Sequence, residues 1–313
     1  MGISIRLLKE IDLEDAEQIF RLAFGTFLGV PDPANFSIDK ACIHSRWNAD
    51  HTAAFGAEVD GKLVGSNIAT RWGSMGFLGP LTILPDFWNR GIGKLLMEPV
   101  VDMFDRWECR HAGLYTFSDS QKHIGLYQRY GFWPRFLTPI MSKAVQPGEN
   151  LSQYFKYSDI PESDRELYLN DCFEMTDLIF EGLSLEHEIA SVYTQGLGDT
   201  VLIKDGAKLA GLAVCYCGSG TEAGRDTCYV KFGAVRPGLN SGKLFNRLLS
   251  ACESLAAEKK MLRLVAGVNT ARHQAYQKML DRGFTVDMIG IIMQRPNEAA
   301  YNRPDVYLID DWR

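Results

Sequence analysis

The sequence predicts two α/β domains of one topology, each a twisted mixed sheet flanked by helices, and three observations lead there. The chain has 313 residues, enough for one large or two ordinary domains. A strand, loop, helix, strand, helix unit occurs twice, Pro85 to Gly131 and Pro237 to Gly283, with the same internal length and an offset of 152 residues. Upstream, Asp60-Gly61 and Asp205-Gly206 each separate two β-rich runs, as tight hairpin turns do, because Asp-Gly supplies the positive φ angles such turns need.

The first copy opens with a strand from Ile3 to Leu8. A helix follows with Asp12 as its expected N-cap and Leu13, Ala16, Ile19, Phe20 and Ala23 on one face. After a three-strand meander come a strand at 81–85, a helical run from Gly91 to about Trp107, a strand from Ala112 to Phe117 and a short helix ending at Tyr130. Pro99 falls inside the longer helix, where a missing N–H predicts a kink. The second copy repeats this order: a strand at 232–237, a helix to about Lys260, a strand from Arg263 to Val268 and a helix ending at Arg282. Its meander is six residues longer, an excess assigned to the Gly- and Ser-rich loop from Gly218 to Gly224. The Pro, Gly and polar cluster from Val145 to Asn150 reads as the linker, giving domains 1–147 and 148–313.

Composition narrows the function. Hydrophobic residues make up 46% and charged residues 23%, which excludes collagen-like, disordered and disulfide-stapled classes. Lys and Arg number 33 against 39 Asp and Glu, so there is no broad basic face and no nucleic-acid partner is expected. No apolar run approaches the ~20 residues of a membrane helix, and the start is not a signal-peptide core. A cytoplasmic protein without a membrane partner is expected. The seven cysteines are odd in number and sit in apolar segments, as reduced thiols do. Cys215 and Cys217 point the same way, but nothing completes a metal set, so no metal is expected.

Chemistry concentrates at Trp88-Asn89-Arg90-Gly91-Ile92-Gly93-Lys94-Leu95-Leu96, between strand and helix. Unpaired N–H groups at a helix start attract phosphate, and glycines let it approach the main chain. Leu96 excludes a dinucleotide G-x-G-x-x-G loop, and Leu95 after the lysine excludes a Walker A loop. An ordinary glycine turn before a helix remains the plain alternative. A second signal follows at Gly125-Leu126-Tyr127-Gln128-Arg129-Tyr130-Gly131-Phe132, a glycine-capped helix end carrying a tyrosine.

With both signals in this order, the sequence resembles the GNAT N-acetyltransferase superfamily in its tandem, duplicated form. Its hallmark is a (Gln/Arg)-x-x-Gly-x-(Gly/Ala) loop after the fourth strand, followed by a Leu-Tyr-x-x-x-Gly-Phe helix end. The resemblance implies two GNAT-like domains and acetyl-coenzyme A as acyl donor. It places the pantetheine arm and acyl carbonyl on the main chain of Leu81, Thr82 and Ile83. It places the pyrophosphate on Asn89, Arg90, Gly91, Ile92, Gly93 and Lys94, and makes Tyr127 the acid that protonates the departing thiolate. A phenol of pKa ~10 and a thiol near ~8.5 are close enough to share that proton. Three departures stand out. Trp88 replaces Gln or Arg, Ser120 takes the coenzyme-side place of a frequent Asn, and Pro99 interrupts the helix.

At the same offset, the second copy has Lys243 and Phe245 where the first has Gly91 and Gly93, and Met279 in place of Tyr127. Phe245 should crowd the cradle and Met279 has no proton to give. Tyr276 is either a displaced acid or, on its apolar helical face, a core residue. The second copy is therefore expected to be structural or substrate-shaping, and the first catalytic. For the base that deprotonates the acceptor, Asp119, His123 and Glu58 are candidates, each with an ordinary surface role as alternative. The aromatic segment from Phe24 to Phe36 is expected to wall the acceptor, or simply to pack the domain. The aromatic tail from Arg295 to Arg313 is expected to dock across the other domain, its terminal carboxylate reaching the acceptor cleft. Together these give an N-acetyltransferase acting by direct transfer to a primary amine of a small molecule or peptide. The alternatives are a mycothiol-synthase-like arrangement with the second copy catalytic, or a non-catalytic acyl-coenzyme A sensor. Oligomeric state has no sequence signal.

Overall fold

The computed structural model of the protein describes residues 2–146 and 154–313. The first copy contains β1 (Ile3–Leu7), α1 (Leu13–Phe27), α2 (Cys42–Ala49), β2 (Ala54–Val59), β3 (Lys62–Trp72), β4 (Met75–Leu78) and β5 (Thr82–Ile83). It continues with α3 (Ile92–Arg106), β6 (His111–Phe117), α4 (Gln121–Gln128) and β7 (Trp133–Ala144). The second contains β8 (Phe155–Lys156), α5 (Arg165–Asp177), α6 (Glu186–Gln195), β9 (Gly198–Asp205), β10 (Lys208–Gly218) and β11 (Gly224–Val235). Then come α7 (Ser241–Glu258), β12 (Arg263–Gly267), α8 (His273–Asp281), β13 (Thr285–Arg295) and β14 (Leu308–Asp310). The pairs β6 and β12, α4 and α8, and β7 and β13 all begin 152 residues apart, so the sequence repeat is a structural one. Asp60 and Gly61 both have positive φ between β2 and β3, as the turn requires. Helix α3 runs on through Pro99 to Arg106.

The two copies share one sheet, in the order β1-β2-β3-β4-β6-β13-β7-β12-β11-β10-β9-β8. Strand β13 of the second copy lies between β6 and β7 of the first, antiparallel to both, and β7 pairs in turn with β12. Each copy's last long strand thus completes the other copy's sheet. The expected linker only partly falls in view. Val145 donates its N–H to Leu262 O (2.9 Å), while Pro147 to Asn150, and with them the 147/148 boundary, lie outside the described residues.

The strand exchange merges the cores. One apolar cluster contains Trp72 and Phe77 from the first copy with Val214 and Phe232 from the second. The Trp72 and Phe232 rings meet edge to face at 5.4 Å, and Trp72 Nε1 donates to Glu188 Oε2 (3.0 Å). Beside this core lies a buried ionic cluster that crosses the seam. Arg46 Nε and Nη2 each donate to Glu222 at 2.9 Å, and Lys231 Nζ reaches the same carboxylate at 2.5 Å. Burial pushes the Glu222 carboxyl up, but Arg46 and Lys231 more than offset this and hold it at about 2.

Because the folded-state pKa is depressed, this stabilisation is complete above about pH 4.5 and is lost as the pH falls toward 2. A shift of that size corresponds to about 3 kcal/mol. Glu222→Gln should cost a comparable amount at pH 7, since it leaves two buried cations without their carboxylate, and should flatten the acid limb of the stability profile. Thermal melts of both proteins from pH 7 to 3 would show this. Equal melting temperatures at pH 7 would remove the cluster from the list of forces joining the halves.

Candidate active site

The site begins where the first copy breaks its own ladder. Strand β4 stops at Leu78 because Pro80 has no N–H to donate, and β5 then pairs with β3 alone, through Ser66 with Thr82 and Gly65 with Ile83. Parallel pairing of β4 with β6 therefore ends at Phe77 and Gly113, and β6 continues to Phe117 without it. Tyr115, Thr116 and Phe117 line the cavity that opens there, of about 810 Å³.

The glycine loop closes one end. Trp88 Nε1 donates to Ile83 O (2.7 Å), so the tryptophan standing where the family pattern has Gln or Arg fastens the loop to β5. Asn89 (φ 64°) and Gly91 (φ 80°) then take left-handed conformations, and Gly91 caps α3. The first helical N–H groups, of Ile92 and Gly93, have no carbonyl behind them, while Lys94 N–H already turns back to Gly91 O (3.0 Å). A Cβ on Gly91 would meet nothing within 4 Å, and one on Gly93 only the tips of Leu126 and Ile83 at 3.4 and 3.5 Å. An open helix start of this kind fits a phosphate group.

The residues expected at the site divide as follows. Leu81, Ile83, Asn89, Gly91, Ile92, Gly93 and Lys94 line the cavity, and so does Tyr127 from α4. Tyr127 is 7% exposed, and burial raises its phenol above the usual tyrosine range, so it keeps its proton at neutral pH. Thr82 faces inward, with Oγ1 2.9 Å from Ser66 Oγ. Arg90 lies over the Phe87 ring at 4.8 Å and donates to Asp86 O, on the outer side of the loop. Ser120 caps α4, with Oγ 2.9 Å from His123 Nδ1.

Among the candidate bases, His123 lines the cavity against Phe27 (4.9 Å), and burial lowers its proton affinity. Glu58 is instead bound to Arg6 (2.7 Å) on β2, and Asp119 is exposed on the turn before α4. The aromatic segment does supply a wall, through Phe24, Phe27 and Phe36. The opposite wall holds Trp312 and Arg313 of the tail together with Lys40, Arg46, Glu222 and Tyr229, four residues that sequence reasoning missed. Arg46 and Glu222 meet across 176 positions, and no local pattern signals such a contact.

In the second copy the equivalent space is filled. Phe232 stands where the first copy has Pro80, so β11 runs unbroken for 12 residues. Strand β14 of the tail pairs on it at Phe232, Gly233 and Ala234, the counterparts of Pro80, Leu81 and Thr82. Lys278 and Tyr307 crowd the Gly242 backbone at 2.9 and 3.0 Å from where a Cβ would be. Phe245 is fully buried 5.6 Å from the Tyr307 ring, Met279 is fully buried, and Tyr276 packs against the same cluster. At the end of β14, Asp310 pairs with Arg272 (2.6 Å), and beyond it Trp312 lies against Gly113 of β6. The tail therefore fills the cleft of its own copy before its end reaches the cavity of the first, where Arg46 donates to the main-chain oxygen of Arg313.

Residues 14–132, from α1 to the turn after α4, match the model of the Acetyltransferase (GNAT) family. The chain is a tandem GNAT-fold protein. A candidate acetyltransferase from Pyrococcus horikoshii superposes over 98% of this chain and 93% of its own, with TM-score 0.70 and 14% identity. A GCN5-related N-acetyltransferase from Sphaerobacter thermophilus does so over 94% and 95%, with TM-score 0.61 and 15% identity. A tandem GNAT protein from the clavulanic acid biosynthesis pathway, described without AcCoA, matches over 94% and 98%, with TM-score 0.57 and 12% identity. No curated protein matches by sequence. The GNAT fold supports acyl transfer from acetyl-coenzyme A. Among the described residues, no helix is long and apolar enough to cross a membrane, and no group of three or more His, Cys, Asp or Glu side chains is arranged to hold a metal ion.

Proposed function

We propose that the first copy is an acetyl-coenzyme A-dependent N-acetyltransferase that transfers the acyl group directly to a primary amine, and that the second copy is structural and shapes the acceptor side. The observation that carries this reading is the contrast between the copies. Gly91, Gly93 and Tyr127 border an open cavity, whereas their counterparts include an exposed Lys243 and the fully buried Phe245 and Met279, beside a cleft packed by the chain's own tail. The same contrast weighs against a mycothiol-synthase-like arrangement with the second copy catalytic.

In the mechanism, the N–H groups of Ile92 and Gly93 and the positive end of α3 hold the pyrophosphate, and Lys94 adds charge beside them. The main chain at Leu81 and Ile83 borders the space for the pantetheine arm and the thioester carbonyl. Tyr127 keeps its proton until the carbon–sulfur bond breaks, then donates it to the departing thiolate. The acceptor must arrive as a free amine, and His123, held neutral by burial, is the base on the cavity wall. Cys42 lines the cavity, but burial pushes its thiol up to about 12, so it is no ready nucleophile, which favours direct transfer over an acyl-enzyme.

Acetyl-coenzyme A incubated with a panel of primary amines should release free thiol for at least one of them. Tight coenzyme binding with no thiol released by any amine would leave a sensor and remove the transferase.

A further inference from the structure

The acceptor side of the cavity carries one ammonium that no hydrogen bond or ion pair among the described residues holds. Lys40 lies in the connection between α1 and α2, half-buried on the cavity wall. Its ammonium makes no hydrogen bond or ion pair among the described residues. The other charges there are committed. Glu222 is shared by Arg46 and Lys231, Asp39 accepts from the Arg225 N–H, and the Arg313 guanidinium lies 3.1 Å from Asp311 and stacks on Tyr229 at 4.7 Å. Burial lowers the proton affinity of Lys40, and Arg313 adds to this, while Cys42, Asp39 and Glu222 act from a distance in the opposite direction without offsetting the burial. The same cavity offers apolar surface from Phe20, Phe24, Phe36 and Trp312.

We infer that the acceptor is an amino carboxylate with an apolar body, an amino acid of aromatic or large aliphatic side chain, its carboxylate received by Lys40 and its side chain by the phenylalanine wall. This rests on the transferase reading for the amine, but the recognition of the carboxylate stands apart from transfer. A half-buried ammonium with no hydrogen-bonded partner gains most from an anion that brings its own charge, and the phenylalanine rings offer an apolar group a surface to pack on. Lys40 is thus a specificity residue, with no part in bond-making.

The test is binding of matched N-acetyl products to the coenzyme A-loaded protein by calorimetry. N-acetylphenylalanine should bind about tenfold or more tighter than N-acetylphenethylamine. Lys40→Gln should erase that preference and Lys40→Arg restore most of it, with melting temperatures unchanged. Equal binding of the two, or a preference that survives in Lys40→Gln, overturns the inference. Thiol release from acetyl-coenzyme A with phenylalanine, phenylalaninamide and phenethylamine separates the two proposals. Turnover confined to the uncharged pair sinks the carboxylate site and keeps the transferase. Carboxylate-selective binding without thiol release from any amine does the reverse.

Discussion

Tyr127→Phe is expected to lower acetyl transfer by about two to four orders of magnitude while leaving coenzyme A affinity within about twofold, the range ascribed to a positioned acid. The separation between rate and affinity follows from placement. Tyr127 lies at the end of α4 with burial keeping its phenol protonated, whereas the phosphate cradle is made of main-chain groups at the start of α3. Removing one oxygen opens no cavity of consequence, because the ring stays in an apolar cluster with Leu96, Val100 and Phe132. Stability should therefore be nearly unchanged. The measurement is thiol release with the best amine, beside a calorimetric titration of coenzyme A. Undiminished transfer would show that the thiolate leaves unprotonated or takes its proton elsewhere, and the role assigned here would fall.

Gly93→Phe should reduce coenzyme A affinity about a hundredfold or more and bring transfer down with it. The substitution gives the first copy the residue its duplicate carries at position 245. A Cβ at Gly93 makes only ordinary contacts with Leu126 and Ile83, so the backbone tolerates it, but the ring must then occupy the cavity that both residues border. The reverse change, Phe245→Gly, should not create a second site. Tyr307, Lys278 and β14 would still fill that cleft, and the loss of a fully buried ring should cost about 3–5 kcal/mol. Titration of each variant, checked against its melting curve, decides the matter. Wild-type affinity in a folded Gly93→Phe protein would move the phosphate site away from this loop.

Much of the local structure is legible in the sequence. The sequence places β6 and β12 within one residue of their observed bounds and the ends of α4 and α8 within two, because hydrophobic periodicity and glycine stops act within a few residues of themselves. The cradle was legible for the same reason, since a helix start and its glycines form one local segment. What the sequence leaves open is where the side chains of Thr82, Arg90 and Ser120 go: they meet Ser66 Oγ, Asp86 O and His123 Nδ1. Spacing along a chain fixes neither which side of a loop a side chain takes nor which partner it meets.

The sequence by itself determined the duplication, the glycine-bearing helix start of the first copy and the bulkier residues at the matching positions of the second, all of which depend on residues a few positions apart. The tertiary structure alone decided that β7 and β13 trade places, that the tail becomes a strand in the second cleft, and that Lys40 faces a cavity walled partly by the other copy. Strand pairing and ion pairing at such separations are chosen by competition among many edges and charges of similar character. Only the packed chain, in which one arrangement buries the shared core around Trp72 and Phe232, selects among them.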